Sequence, residues 1–164
     1  MANVNTSLVS NFEASPQVMN ASHELHGVKR VAQGTIALAA GDLSANDTVM
    51  LAPVPTNASI TSIKLFNDDL DSGTTNTCDV GIYNTDAVAV DDDAYASAIT
   101  DLRAAVTTGT EVAFEARNIN AMGQQVWEDA GASSDPGGYY YIGLVFDAAG
   151  DTGGDLSFII EYVV

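Results

Sequence analysis

Four carboxylates, Asp68, Asp69, Asp71 and Asp79, crowd the stretch "NDDLDSGTTNTCDVGIYN", and three more stand in a row at Asp91, Asp92 and Asp93. Oxygen donors at that density suit a hard cation such as calcium. An EF-hand loop needs oxygens at positions 1, 3 and 5, glycine at 6 and a carboxylate at 12. Counting from Asp68 puts Gly73 at position 6 and Asp79 at position 12, but position 3 is then Leu70, which has no oxygen to give. The flanks also read as strands, not helices, so the EF-hand reading fails. Two readings of residues 67–73 stay open. One is a calcium site of another kind, built from Asp69, Asp71 and a backbone carbonyl. The other is a solvated hairpin tip whose Asp and Asn side chains cap the turn's own N–H groups. The run 91–93 divides in the same way, between a divalent ion and the acidic start of a helix.

The remaining chemical inventory is thin. His23 and His26 in "ASHELHGVKR" stand three apart with no third ligand nearby, so contact with a neighbouring subunit is the expectation. There is no Gly-x-Ser-x-Gly elbow, no Walker A loop and no CxxC pair. The single Cys78 allows no intrachain disulfide and fits a small buried hydrophobe. Carboxylate pairs for glycoside cleavage are available among 22 acids, but the aromatics to line a cleft are few: Trp127 and the run Tyr139–Tyr141. The expectation is a protein that is not an enzyme and carries no cofactor. A carbohydrate- or receptor-binding module using Trp127, Tyr139 and Tyr141, with calcium at Asp69 and Asp71, is the alternative.

Those side chains must be positioned by a chain of 164 residues, most economically one domain. Five Lys and Arg against 22 Asp and Glu give a net charge of −17. Such a surface repels phosphate backbones and anionic bilayers, so neither nucleic acid nor membrane is an expected partner. The N-terminus has no basic start and no continuous apolar core, so a secretory signal is not expected, and no run is long and apolar enough to span a bilayer.

Residues 1–27 form one segment: rich in Asn, Ser and Ala, with isolated Leu8, Val9, Phe12, Val18 and Met19 and no sustained period. It packs no core of its own and reads as an extended N-terminal arm held against a sister subunit or a larger assembly. Residues 28–164 read as the domain. "VAQGTIALAAGDL", "DTVMLAPVP", "ASITSIKLF", "TCDVGIYN", "EVAFEA", "GYYYIGLVFDA" and "DLSFIIEYVV" are strand candidates separated by turn clusters. Two prolines are expected to stop the second run. Alternation sends Ile63, Leu65, Val80 and Ile82 inward and turns Tyr140 away from Tyr139 and Tyr141. The acidic loop and "AGDTGGD" are both expected to be hairpin tips. "DDDAYASAITDLRAAVTT" and the segment around Trp127 are the two expected short helices. The pattern is that of an all-β, antiparallel β-sandwich.

The order of "GTIALAAGDL", "PTNASI", "NDDLDSG", "DVGIYN", "DDDAYASAI", "VWEDAG", "SDPGGYYYIGLVF" and "LSFIIEYV" resembles a group of tailed-phage virion proteins from marine and freshwater phages. The resemblance covers about residues 33–163 and leaves the arm out. It implies a jelly-roll-like domain and a capsid decoration or cement protein, placed on the outside of the phage head after synthesis in the host cytoplasm. The implied partners are the major capsid protein and other copies of the chain, as a dimer or trimer. A head-tail or tail component is the nearest alternative. The family offers no catalytic residues. The residues expected to touch partners are the arm's apolar anchors Leu8, Val9, Phe12 and Val18, with Lys29 and Arg30 at its base.

Overall fold

The computed structural model describes residues 4–164, so residues 1–3 of the arm lie outside the described residues. Eight strands follow one short helix, α1 (Ser7–Glu13): β1 (Lys29–Leu38), β2 (Thr48–Pro55), β3 (Ser59–Asn67), β4 (Thr77–Tyr83), β5 (Ala89–Ile99), β6 (Val106–Glu111), β7 (Tyr139–Ala148) and β8 (Gly154–Val163). A second helix, α2 (Val126–Asp129), carries Trp127 between β6 and β7. The strands form two four-stranded sheets, ordered β1-β8-β3-β6 and β2-β7-β4-β5, with antiparallel pairing throughout. This order is that of an eight-stranded jelly roll.

Period-2 alternation builds the core. Ile60, Ile63 and Leu65 of β3 and Leu156, Phe158 and Ile160 of β8 face Val80 and Ile82 of β4 and Ile142, Leu144 and Phe146 of β7, all buried. Cys78 is buried among them, and burial raises its thiol pKa, which keeps it protonated. Tyr140 packs against the core, while Tyr139 and Tyr141 meet edge-to-face with ring centres 5.8 Å apart on the other side. The antiparallel sandwich is the one the alternation predicts.

Several expectations give way. Residues 91–108 are not a helix: they hold most of β5, a 3-10 turn at Asp101–Arg103 and the start of β6. Tyr95 and Ala96 point into the core, and their burial outweighs the helical preference of the alanines. "EVAFEA" is not a strand beyond Glu111, although Val112 is buried. Pro53 does not stop β2, which pairs with β7 through it, and the strand ends at the second proline, Pro55. β2 lies at a sheet edge, where a missing N–H costs no ladder bond on the open side.

Neither expected hairpin is one. β3 and β4 lie in different sheets, as do β7 and β8, so the acidic loop and "AGDTGGD" each cross between layers. Of the consecutive strands, β4 and β5 pair with each other. The arm is not wholly extended either, since α1 coils Ser7–Glu13.

Candidate functional site

The arm folds on itself through asparagines. Asn11 donates to the side-chain oxygen of Asn20 at 2.8 Å, Asn20 donates to the Leu8 carbonyl at 3.1 Å, and the Val18 N–H reaches the Asn11 carbonyl at 3.1 Å. This hook turns apolar groups outward: Val9, Phe12, Val18 and Met19 are exposed, while Leu8 is half-buried. Phe12, Val18, Met19 and Leu25 line a groove of about 380 Å³. Of the predicted anchors, Phe12 and Val18 therefore share a surface.

Lys29 and Arg30 open β1 and are exposed. Lys29 is paired with Glu161 across the strands at 2.7 Å. The exposed cations among the described residues are these two and Lys64, all on the β1 sheet. Arg103 donates Nε–H to the Asn76 carbonyl at 2.5 Å, and the side chain of Arg117 is buried.

The loop between β3 and β4 caps itself. Asp71 accepts from the N–H groups of Gly73, Thr75 and Asn76 at 3.2, 2.9 and 2.8 Å, and Asp69 accepts from Asp71 N–H at 3.2 Å. These backbone bonds, led by that from Asn76, hold the Asp71 carboxyl below its ordinary range. Asp151 binds the Ser72 N–H at 2.7 Å and its hydroxyl at 2.6 Å, tying the neighbouring crossover to this one. Leu70, which spoiled the EF-hand pattern, is fully buried, and Asp71 is only 3% exposed. The loop is thus anchored by buried Leu70, Asp71 and Asn76 over one end of the sandwich, while Ser72–Thr75 form a solvent-exposed, self-capped tip, as one of the two sequence readings expects.

A second group of acids covers the outer face of the β4 sheet. Asp91, Asp92 and Asp93 can each bring one oxygen within 4.8 Å of the others, a set that could hold a hard cation. Burial, then the hydrogen bond and charge of Asp93, push Asp91 upward, and burial with the charge of Asp79 does the same to Asp147. Asp79 also accepts from Ala98 N–H at 2.6 Å. Backbone of residues 91–92 crosses directly over Gly81, where a Cβ would collide with it.

The separation of these parts bears on the carbohydrate-site geometry. β7 starts at Tyr139 and ends at Ala148, beside the start of β4. At about 3.3 Å per residue, Tyr139 lies on the order of 30 Å from the end where the Asp69–Asp71 loop sits. Trp127 stays at the Tyr139 end: its backbone N–H donates to the Thr56 carbonyl, and the Thr56 N–H donates to the Gly138 carbonyl. The aromatics share one end; the calcium candidates Asp69 and Asp71 lie at the other.

Sequence reasoning missed a buried ion pair between Arg117 and Asp129. Arg117 donates to both carboxylate oxygens of Asp129, at 3.0 and 2.8 Å, and also to the carbonyls of Ile60 and Gln124. Both side chains are nearly inaccessible. Tyr95 donates its hydroxyl to Asp129 at 3.2 Å, and the guanidinium lies over the rings of Tyr95 and Phe114. Burial pushes Asp129 up to about 6, against Arg117 and Tyr95, which favour its charged form. The network pins the segment between β6 and β7, including α2, to β3 and β5.

No protein-family model matches this chain, and neither does any curated protein sequence. Solved structures do. The chain is similar to one in the capsid asymmetric unit of cyanophage Pam1, at 16% identity and a TM-score of 0.56, over 100% of this chain and 99% of that one. It is also similar to a chain of the capsid of Ralstonia phage GP4, at 22% identity and a TM-score of 0.61, over 84% of each. Both likenesses support the jelly-roll fold.

Proposed function

We propose that the protein is a structural component of a phage virion, and within it a capsid decoration or cement protein that binds the major capsid protein lattice on the outside of the DNA-filled head. The observation that carries this reading is the full-length likeness, arm included, to a chain of a cyanophage capsid. The physical design fits. The sandwich is a rigid, acidic body, and the hook at its base presents Phe12, Val18 and Met19 to a neighbour. A clamp that binds only the assembled shell stabilises it by mass action, and contacts to several subunits multiply through avidity.

The test uses virions that carry the protein and otherwise identical particles that lack it. Hundreds of copies per virion, and lost resistance to heat and osmotic shock without them, are expected. A handful of copies would place it at the connector or tail, and full resistance without it would end the cement reading.

A further inference from the structure

Four strands lie at sheet edges, and three of them are blunted. β2 carries Pro53, Pro55 and a register shift, and β5 is broken by three shifts and by Asp91–Asp93. β6 is short, shifted against β3 and interrupted by Gly109 at φ +80°. β1 differs. Its ten residues pair with β8 without a shift, contain no proline and no acid, and leave Val31 and Ile36 exposed. A long, regular edge with free N–H and C=O groups is a template for another strand.

The charges at its two ends differ, with Glu161 already pairing Lys29 at the first. Lys29 and Arg30 stand at the start, whereas Asp42, Asp68 and Asp155 surround the finish: Asp42 caps Ala39, Asp155 pairs with Ala37, and Asp68 accepts from Asp155 N–H. We infer that β1 is a self-association edge, on which a second copy of this chain adds its own β1 antiparallel, with the two-fold axis at Gln33. Side chains opposite one another then share a face, as pairing demands. Val31 meets Thr35 of the second copy, Arg30 lies along the exposed Ile36 of that copy, and Lys29 meets its Ala37 beside its Asp155. Parallel pairing would set Lys29 against Lys29. Self-association of this kind needs only the purified chain and stands apart from the virion reading.

Sedimentation equilibrium of the full chain is expected to show a monomer–dimer equilibrium. The variant K29E/R30E, and separately D155K, should weaken it about tenfold or more. Mixing the two variants should restore association, because each contact then joins opposite charges. Gln33→Cys should crosslink as a dimer on mild oxidation, since Cα atoms at the axis lie about 5 Å apart; Cys78 is buried and does not compete. A monomer at every concentration would overturn the inference. So would a dimer that ignores the charge swaps, a persistent dimer that Gln33→Cys does not crosslink, or β1 amides protected from exchange only on phage particles.

Discussion

At one end of the sandwich Asp71 commits its carboxylate to backbone N–H groups of its own loop; at the other, Asp129 gives both oxygens to Arg117 beneath the surface. The first arrangement is local, with partners within five residues, and a short stretch of chain brings it together. The second joins β3, β5 and the long connection before β7, so it forms only when both sheets have closed. One acid shapes a loop, and the other reports on the whole fold.

Removing one side of the buried pair should expose this contrast most strongly. Arg117→Met leaves Asp129 buried without its counter-charge and should cost about 3–5 kcal/mol, read from denaturant unfolding. Adding Asp129→Leu should recover much of the loss, because an apolar pair of similar volume removes the stranded charge. If the double variant were no more stable than the single one, Arg117 would act mainly through its carbonyl contacts.

Asp71→Ala should act locally. Three backbone N–H groups lose their acceptor, so hydrogen exchange should rise over residues 72–76 while the β7 and β8 amides stay protected. The expected drop in melting temperature is smaller than for Arg117→Met. Uniformly faster exchange would mean that the loop, too, is coupled to the global fold.

The smallest effect is on pH dependence. Burial pushes Asp129 up to about 6, above its unfolded value near 4, so the folded protein holds a proton there that the unfolded chain has released. Stability from this group is therefore present at low pH and falls as pH rises through about 4 to 6. Asp91 and Asp147, also shifted upward, act in the same direction. Asp71, Asp135 and Asp151 are shifted down, and their contribution is lost only below about 4. Melting temperature should thus rise from pH 7 toward about 5 and fall below 4, and Asp129→Asn should flatten the upper slope.

The same contrast between local and distant partners governs how much the sequence alone reveals. Alternation marks β3, β4, β7 and β8 because each has one face in the core, and Ile63, Leu65, Val80 and Ile82 lie where the pattern puts them. β5 hides because its bulges destroy the period: Asp91 opposes Ile82 and Ala96 opposes Val80, five residues against two. A glycine-rich crossover looks like a hairpin because turn chemistry records that the chain turns, not which layer it enters. Arg117 and Asp129 are distant enough that only tertiary packing joins them. The arm's Phe12 and Val18 are visible as isolated apolar residues, but their common surface depends on the Asn11–Asn20 link, which no periodicity announces.

The place of β8 between β1 and β3 has a consequence in time. Lys29 meets Glu161 across 132 residues of sequence, so most of the chain must be synthesised before its first strand finds its partner. Until residues 154–163 emerge, β1 and β3 have nothing between them, and the first sheet cannot close. Such distant pairings slow folding to the range of milliseconds to seconds. The nascent chain on a ribosome therefore waits, held soluble by its own surplus of negative charge.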